Sequence, residues 1–374
     1  MKKIIYFILV LIINGCGTDE NNNNNNNDGG NSLDDQNLRS IVLTDVVDSL
    51  IIPSYENLYQ KLNTLSSSFL EFKQSRNATN FNLLKQNWKE SYIAWQYVEM
   101  FNIGTAEDIF YYNKMNTYPA NTTIINDNIQ NQNYTFSENT FSSFTSQGFP
   151  AIDYMLYGLD TDSSLVLSYY QNTNNEDYIV YLEKVIDELL INTENIQNGW
   201  TNSRTQFINS NRNEATSSLN LFVNDFIFYY EKGFRANKFG IPSGVYSNTV
   251  LPINVEAYYC QGLSKELSLH ALEAITDVFI GNSFIGNQSI NSISSYITYT
   301  SVEGPTISSQ IENKLDNAKE TINLLDNNFV TQIQNDNVMM LQTFDAIQES
   351  VPLLKIDMLA AIKINIDYVD ADGD

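Results

Sequence analysis

The chain has 374 residues, with 44 acidic and 20 basic side chains, one histidine and two cysteines, and a formal net charge of −24. That balance excludes nucleic acid as a partner, because binding a phosphate backbone needs a basic face. It also argues against direct binding to anionic lipid headgroups. Two cysteines cannot build a Cys-based zinc centre, and with Cys16 in a leader region Cys260 has no disulfide partner.

Residues 1–15 read as a lipoprotein signal peptide. Lys2 and Lys3 precede an apolar run, Ile4 to Ile13, that is too short to span a bilayer. Ile13-Asn14-Gly15-Cys16 resembles a lipobox, which makes Cys16 the expected lipidation site. Residues 16–32 form an Asn-rich tether too polar to offset the entropy of ordering. The implied location is the cell envelope, as an outer-membrane lipoprotein held by lipid on Cys16, facing either the periplasm or the surface.

From residue 33 apolar side chains recur at helical spacing. Val42, Val46, Leu50, Leu58, Leu62 and Leu65 predict a long helix from Leu33 to about Arg76, kinked or interrupted at Pro53. Phe81, Leu84, Trp88, Tyr92, Trp95 and Val98 form an aromatic stripe on a helix from Phe81 to about Asn102. Glu99 falls at the edge of that stripe, where a rim glutamate paired with a surface cation is the commoner outcome. Thr105 to Gln147 reads as a long irregular loop rich in Asn, Thr and Ser. Further helices are expected over Glu176 to Trp200, Ala215 to Phe239 and Leu263 to Ile280, then Thr306 to Phe329 and Asn337 to Ile366. The last of these should kink at Pro352 and, from Val351 onward, lie deeply buried. Lys232, Arg235 and Lys238 cluster near the end of the Ala215 to Phe239 segment, where cations also suit a negative helix terminus.

The stretch from Gln147 to Asp160 stands apart. Gly148 opens it, Pro150 suits the first turn of a helix, and Asp153 is a carboxylate in an otherwise apolar turn. Buried carboxylates need partners. Gly148-Phe149-Pro150-Ala151-Ile152-Asp153, with Tyr154 to Gly158 behind it, resembles the signature of the imelysin-like family, a group that includes M75-type peptidases. The family pattern is G-x-H-x-x-E. Gly148 matches, Pro150 stands at the His position and Asp153 at the Glu position. Trp88, Trp95 and Glu99 resemble the family's aromatic helix and its following acid. Lys238-x-Gly240-x-Pro242-x-Gly244 and the closing residues from Tyr368 to Asp374 resemble other recurrent segments. The resemblance extends from about Leu38 to Asp374 and implies an all-α protein of two bundle-like domains of up-and-down helices. The boundary is placed at residues 33–200 and 201–374.

The residues restrict the chemistry. There is no H-E-x-x-H, no P-loop and no dinucleotide fingerprint. His270 and Glu273 are spaced as H-x-x-E, but Ser268 stands where the family has glycine, and an ordinary helix histidine is the simpler reading. Asp370, Asp372 and Asp374 lack the spacing of a calcium loop. With the motif histidine gone, what remains at the signature is acidic: Asp153 and, from the aromatic helix, Glu99. Two carboxylates suit hard cations better than zinc. Alternatively Lys232, Arg235 or Lys238 pairs with them and the site carries no metal, which is the expectation adopted. The binding set is therefore Gly148, Pro150, Asp153, Glu99, Arg235 and Lys238, with no catalytic or metal residue assigned. The resemblance implies a binding module linked to iron acquisition, with iron or another divalent cation as the cofactor class, and an iron-uptake component or a peptide as partner. The alternatives are a metal-dependent peptidase and a structural or adhesive surface lipoprotein.

Overall fold

A computed structural model describes residues 32–367, apart from 137, 163 and 164. The signal peptide, Cys16, most of the tether and the Asp370 to Asp374 tail lie outside the described residues. Among the described residues the chain is all-α, with no β-strand. None of the described helices is long and apolar enough to cross a membrane.

Helix α1 (Ser32–Val46) passes through a π turn (Val47–Ile51) into α2 (Ile52–Gln74). The interruption expected at Pro53 falls just before it, because proline is tolerated at the start of the next α-helical run. Asn77 caps α3 (Ala78–Trp95) by accepting from the Asn80 N–H. The segment from Thr105 to Gln147 is not the irregular loop its composition suggested. It carries α4 (Thr105–Asp108), α5 (Tyr111–Asn116), α6 (Thr122–Gln130) and α7 (Phe141–Phe144). The Asn and Thr residues that read as loop formers are caps here: Asn121 accepts from Ile124 N–H and Thr140 from Ser143 N–H. Next come α8 (Gly148–Asp153), running into a π turn (Tyr154–Gly158), then α9 (Val166–Gln171) and the long α10 (Glu176–Asn209). α2, α3 and α10 pack side by side, and α8 lies across α10 and α5.

The second half starts with α11 (Ser218–Phe228), which continues as a π segment (Tyr229–Gly240) into α12 (Ile241–Ser243). It is completed by α13 (Ser264–Ile280), α14 (Ile293–Thr300), α15 (Gly304–Leu324), α16 (Phe329–Gln348) and, after a π turn (Leu353–Met358), α17 (Leu359–Ile362). The expected burial of everything from Val351 on does not hold. Ile356 is 66% exposed, because it lies midway between the inward-facing Leu354 and Met358 and so on the opposite side of the helix.

The apolar core runs without a break from Val42 to Ile364. α1 contacts both halves: it packs on α10, and also on α11 and α14. Its fully buried Arg39 donates to the Tyr296 hydroxyl at 3.0 Å and to the Asn220 carbonyl oxygen. α13 packs against α3, which brings the second half over the aromatic helix.

Candidate functional site

α3 buries its aromatic stripe: Trp88, Tyr92 and Trp95 are fully enclosed. The motif helix α8 docks on that stripe through Phe149, whose ring stacks on Tyr92 at 4.6 Å between centroids. After Trp95 the chain turns through Gln96 to Glu99. Glu99 is 3% exposed, so it is not the rim glutamate its spacing suggested. The turn carries it inward.

There it joins a buried network. The Lys238 ammonium lies 2.7 Å from Glu256 Oε2, 2.8 Å from Gln96 Oε1 and 3.3 Å from Glu99 Oε2. The Tyr229 hydroxyl donates to Glu99 Oε2 at 2.7 Å. The Asn116 amide donates to Glu99 Oε1 and to Glu256 Oε1, both at 2.8 Å, and its carbonyl accepts from the Tyr92 hydroxyl at 2.6 Å. Gln96 Nε2 completes the Glu256 side at 3.2 Å. Burial works to lower the Lys238 pKa, but Glu256 and Glu99 outweigh it and the pKa ends raised, so Lys238 is an ammonium. Every contact offered to the two carboxylates comes from a donor, an arrangement suited to their ionised, acceptor-only form.

The π segment makes this network. Tyr229 and Lys238 are nine residues apart, about 2.5 turns of an α-helix, and would point to opposite sides. An i→i+5 turn holds about one residue more. Nine residues are then close to two full turns, so both side chains reach the same Glu99 oxygen.

Gly148 supplies the packing beneath. It has φ +77°, and a Cβ there would stand 2.4 Å from the Met115 carbonyl oxygen. Only glycine allows α8 so close to α5, and α5 ends on the network residue Asn116.

Asp153 is held differently. It is 2% exposed, and its Oδ2 accepts from the Tyr259 N–H at 2.8 Å. Its Oδ1 has no hydrogen-bond partner among the described residues. Burial pushes the carboxyl up to about 7, against the pull of the Tyr259 and Cys260 backbone amides. A cavity of about 10 Å3, the size of one water molecule, adjoins it between Tyr118, Pro150 and Tyr258. Among the described residues no ion pair joins Asp153 to Lys232, Arg235 or Lys238. Of the expected binding set, then, Glu99 and Lys238 come together, while Gly148, Pro150 and Asp153 form a neighbouring layer. Arg235 lies in a separate cluster with Glu231 at 3.9 Å, the Gln348 carbonyl oxygen and the Phe344 ring, and Lys355 reaches the same Glu231 at 3.2 Å. His270 is part-exposed, 2.9 Å from the Tyr97 hydroxyl and 3.3 Å from Glu273. Gln96, Asn116, Tyr229 and Glu256 were not legible as site residues. Three are neutral polar side chains with no charge pattern to mark them, and Glu256 lies in a loop without periodicity.

Above the network is a pocket of about 180 Å3 lined by Tyr112, Asn116, Tyr118, Asn237 and Asn254. Two larger pockets lie on other elements: one of about 410 Å3 beside Trp200 and Phe207, one of about 420 Å3 beside His270 and Lys319. Among the described residues no group of three His, Cys, Asp or Glu side chains is arranged to hold a metal ion.

The family model for imelysin matches residues 51–353. The chain belongs to the imelysin family. Two solved structures share the fold. One is described as an iron-regulated protein A precursor from Parabacteroides distasonis ATCC 8503, with a TM-score of 0.71, 16% identity, and coverage of 88% of this chain and 95% of that one. The other is an imelysin-like protein from Psychrobacter arcticum 273-4, with a TM-score of 0.70, 15% identity, and coverage of 89% and 98%. No curated protein matches the chain. Within this imelysin-family chain, α8 packs on the aromatic helix through Phe149 and Tyr92.

Proposed function

We propose that this imelysin-family chain is a lipid-anchored cell-envelope protein that binds a ligand in the service of iron acquisition, rather than hydrolysing one. The observation that carries the reading is the Glu99–Lys238–Glu256 network. Its carboxylate oxygens are all occupied by donors, so neither glutamate is free to activate water or to hold a metal. The polar pocket above it is a surface for recognition. Pro150 has no lone pair to offer at the family's histidine position. The relative described as iron-regulated supports the iron neighbourhood. The test is calorimetric titration of the leaderless protein with Fe2+ and Zn2+, alongside a peptide-hydrolysis assay in the same metals. Weak metal binding and no cleavage are expected. Tight stoichiometric binding that disappears in Asp153→Ala, accompanied by cleavage, would establish the peptidase reading instead.

A further inference from the structure

The pocket over Asn116 has an unusual electrostatic floor. Glu99 and Glu256 bring two negative charges and Lys238 one positive, and Asn116 is both the roof of that network and part of the pocket wall. One negative charge is therefore left over directly behind the lining. Its field reaches the lining: burial raises the phenol pKa values of Tyr112 and Tyr118, and Glu99 and Glu256 raise both further. Tyr118 also lines the small cavity beside Asp153. Among the described residues lining the pocket there is no Lys, Arg or His to answer this charge.

The lining favours one kind of cation. A hard metal ion takes anionic oxygens into direct contact, and here both carboxylates stand behind Asn116 with their oxygens occupied. The rest of the lining is neutral: the amides of Asn113, Asn237 and Asn254, the Thr117 hydroxyl and two tyrosines. Amide and phenol oxygens accept from N–H groups, and aromatic faces attract organic cations. The volume, about 180 Å3, suits an alkylammonium or guanidinium head.

We propose that this pocket recognises a single ammonium or guanidinium group, carried by a Lys or Arg side chain of a peptide or by a free amine. The proposal rests on the ligand-binding reading above and names its ligand class.

The experiment is calorimetric titration of the leaderless full chain. The probes are N-acetyl-lysine amide and N-acetyl-arginine amide for the peptide source, butylammonium and cadaverine for free amines, and N-acetyl-glutamine amide, butanol and Mg2+ as comparators. The cationic probes should bind at least tenfold more tightly than the neutral ones, with affinity falling as salt rises. The stronger pair of probes identifies the source. Asn237→Lys places a tethered ammonium at the pocket from a half-buried position, and should weaken the cationic probes at least tenfold with an unchanged circular dichroism spectrum. Glu256→Gln removes the surplus charge and should do the same; if that variant does not fold, Asn237→Lys decides alone. Neutral probes binding as well as cations would overturn the charge assignment while leaving the pocket a binding site. Equal competition by Mg2+, or indifference to Asn237→Lys, would overturn it too. The absence of binding by every probe would overturn the pocket's role, and the metal and hydrolysis measurements would still decide the broader reading separately.

Discussion

Asp153 is a buried carboxyl whose environment brings it near its own titration point. An ordinary aspartate has a pKa of about 3.9, and burial lifts this one to about 7. The folded state therefore holds a proton that the unfolded state has already released between about pH 4 and 7. Stability contributed at this residue falls as pH rises through that window and is level above it. At about 1.4 kcal/mol per pKa unit, the full penalty is on the order of 4 kcal/mol. Asp153→Asn keeps an acceptor for the Tyr259 N–H and cannot ionise. It should match the native protein at pH 4 and exceed it by a few kcal/mol at pH 8, read from urea midpoints. A loss of stability at both pH values would mean that the carboxylate is ionised and paired. The contrast with Glu99 is instructive: Glu99 has an ammonium, a phenol and an amide to meet it, whereas Asp153 has one backbone N–H in hydrogen-bond geometry.

α8 and the π segment Tyr229–Gly240 set the geometry of the site between them. α8 reaches α5 only because Gly148 has no side chain, and α5 delivers Asn116 to the two glutamates. A Cβ at Gly148 would meet the backbone at Met115, which cannot swing aside as a side chain can. The left-handed φ alone costs a non-glycine residue roughly 1–2 kcal/mol. Gly148→Ala should accordingly lose about 2 kcal/mol or more in denaturant unfolding. A change below about 0.5 kcal/mol, the range of an unremarkable surface substitution, would show that α5 and α8 are free to separate.

For the molecule as a whole, charge and anchoring go together. A body with net charge −24 is repelled by anionic headgroups, so the lipid anchor proposed at Cys16 would have to hold it at a membrane without help from surface charge. Cys16 lies outside the described residues, and its role rests on the lipobox-like run before it. Cells fed labelled fatty acid should label the native chain and not Cys16→Ala. Label in that variant would remove Cys16 as the attachment site. No described helix offers an alternative span.

The helical class was legible in the sequence because burying one face of a helix imposes a 3.6-residue rhythm, and the stripes from Phe81 to Trp95 and along α2 keep it. Family membership was legible as well: the order of loosely matching segments along the chain pointed to the imelysin family, whose model matches residues 51–353. Which charges meet was decided only by the tertiary structure. Periodicity at 3.6 sets Tyr229 and Lys238 on opposite faces, and the wider π turn brings them together. The segment from Thr105 to Gln147 read as loop because Asn and Thr favour turns, yet the same side chains cap short helices once neighbouring elements hold the chain in place. Glu256 and Asn116 carry no local signal at all. Their role comes from contacts with the turn Gln96 to Glu99 after α3, between residues 17 and 160 positions apart, and local spacing holds no record of distances of that kind.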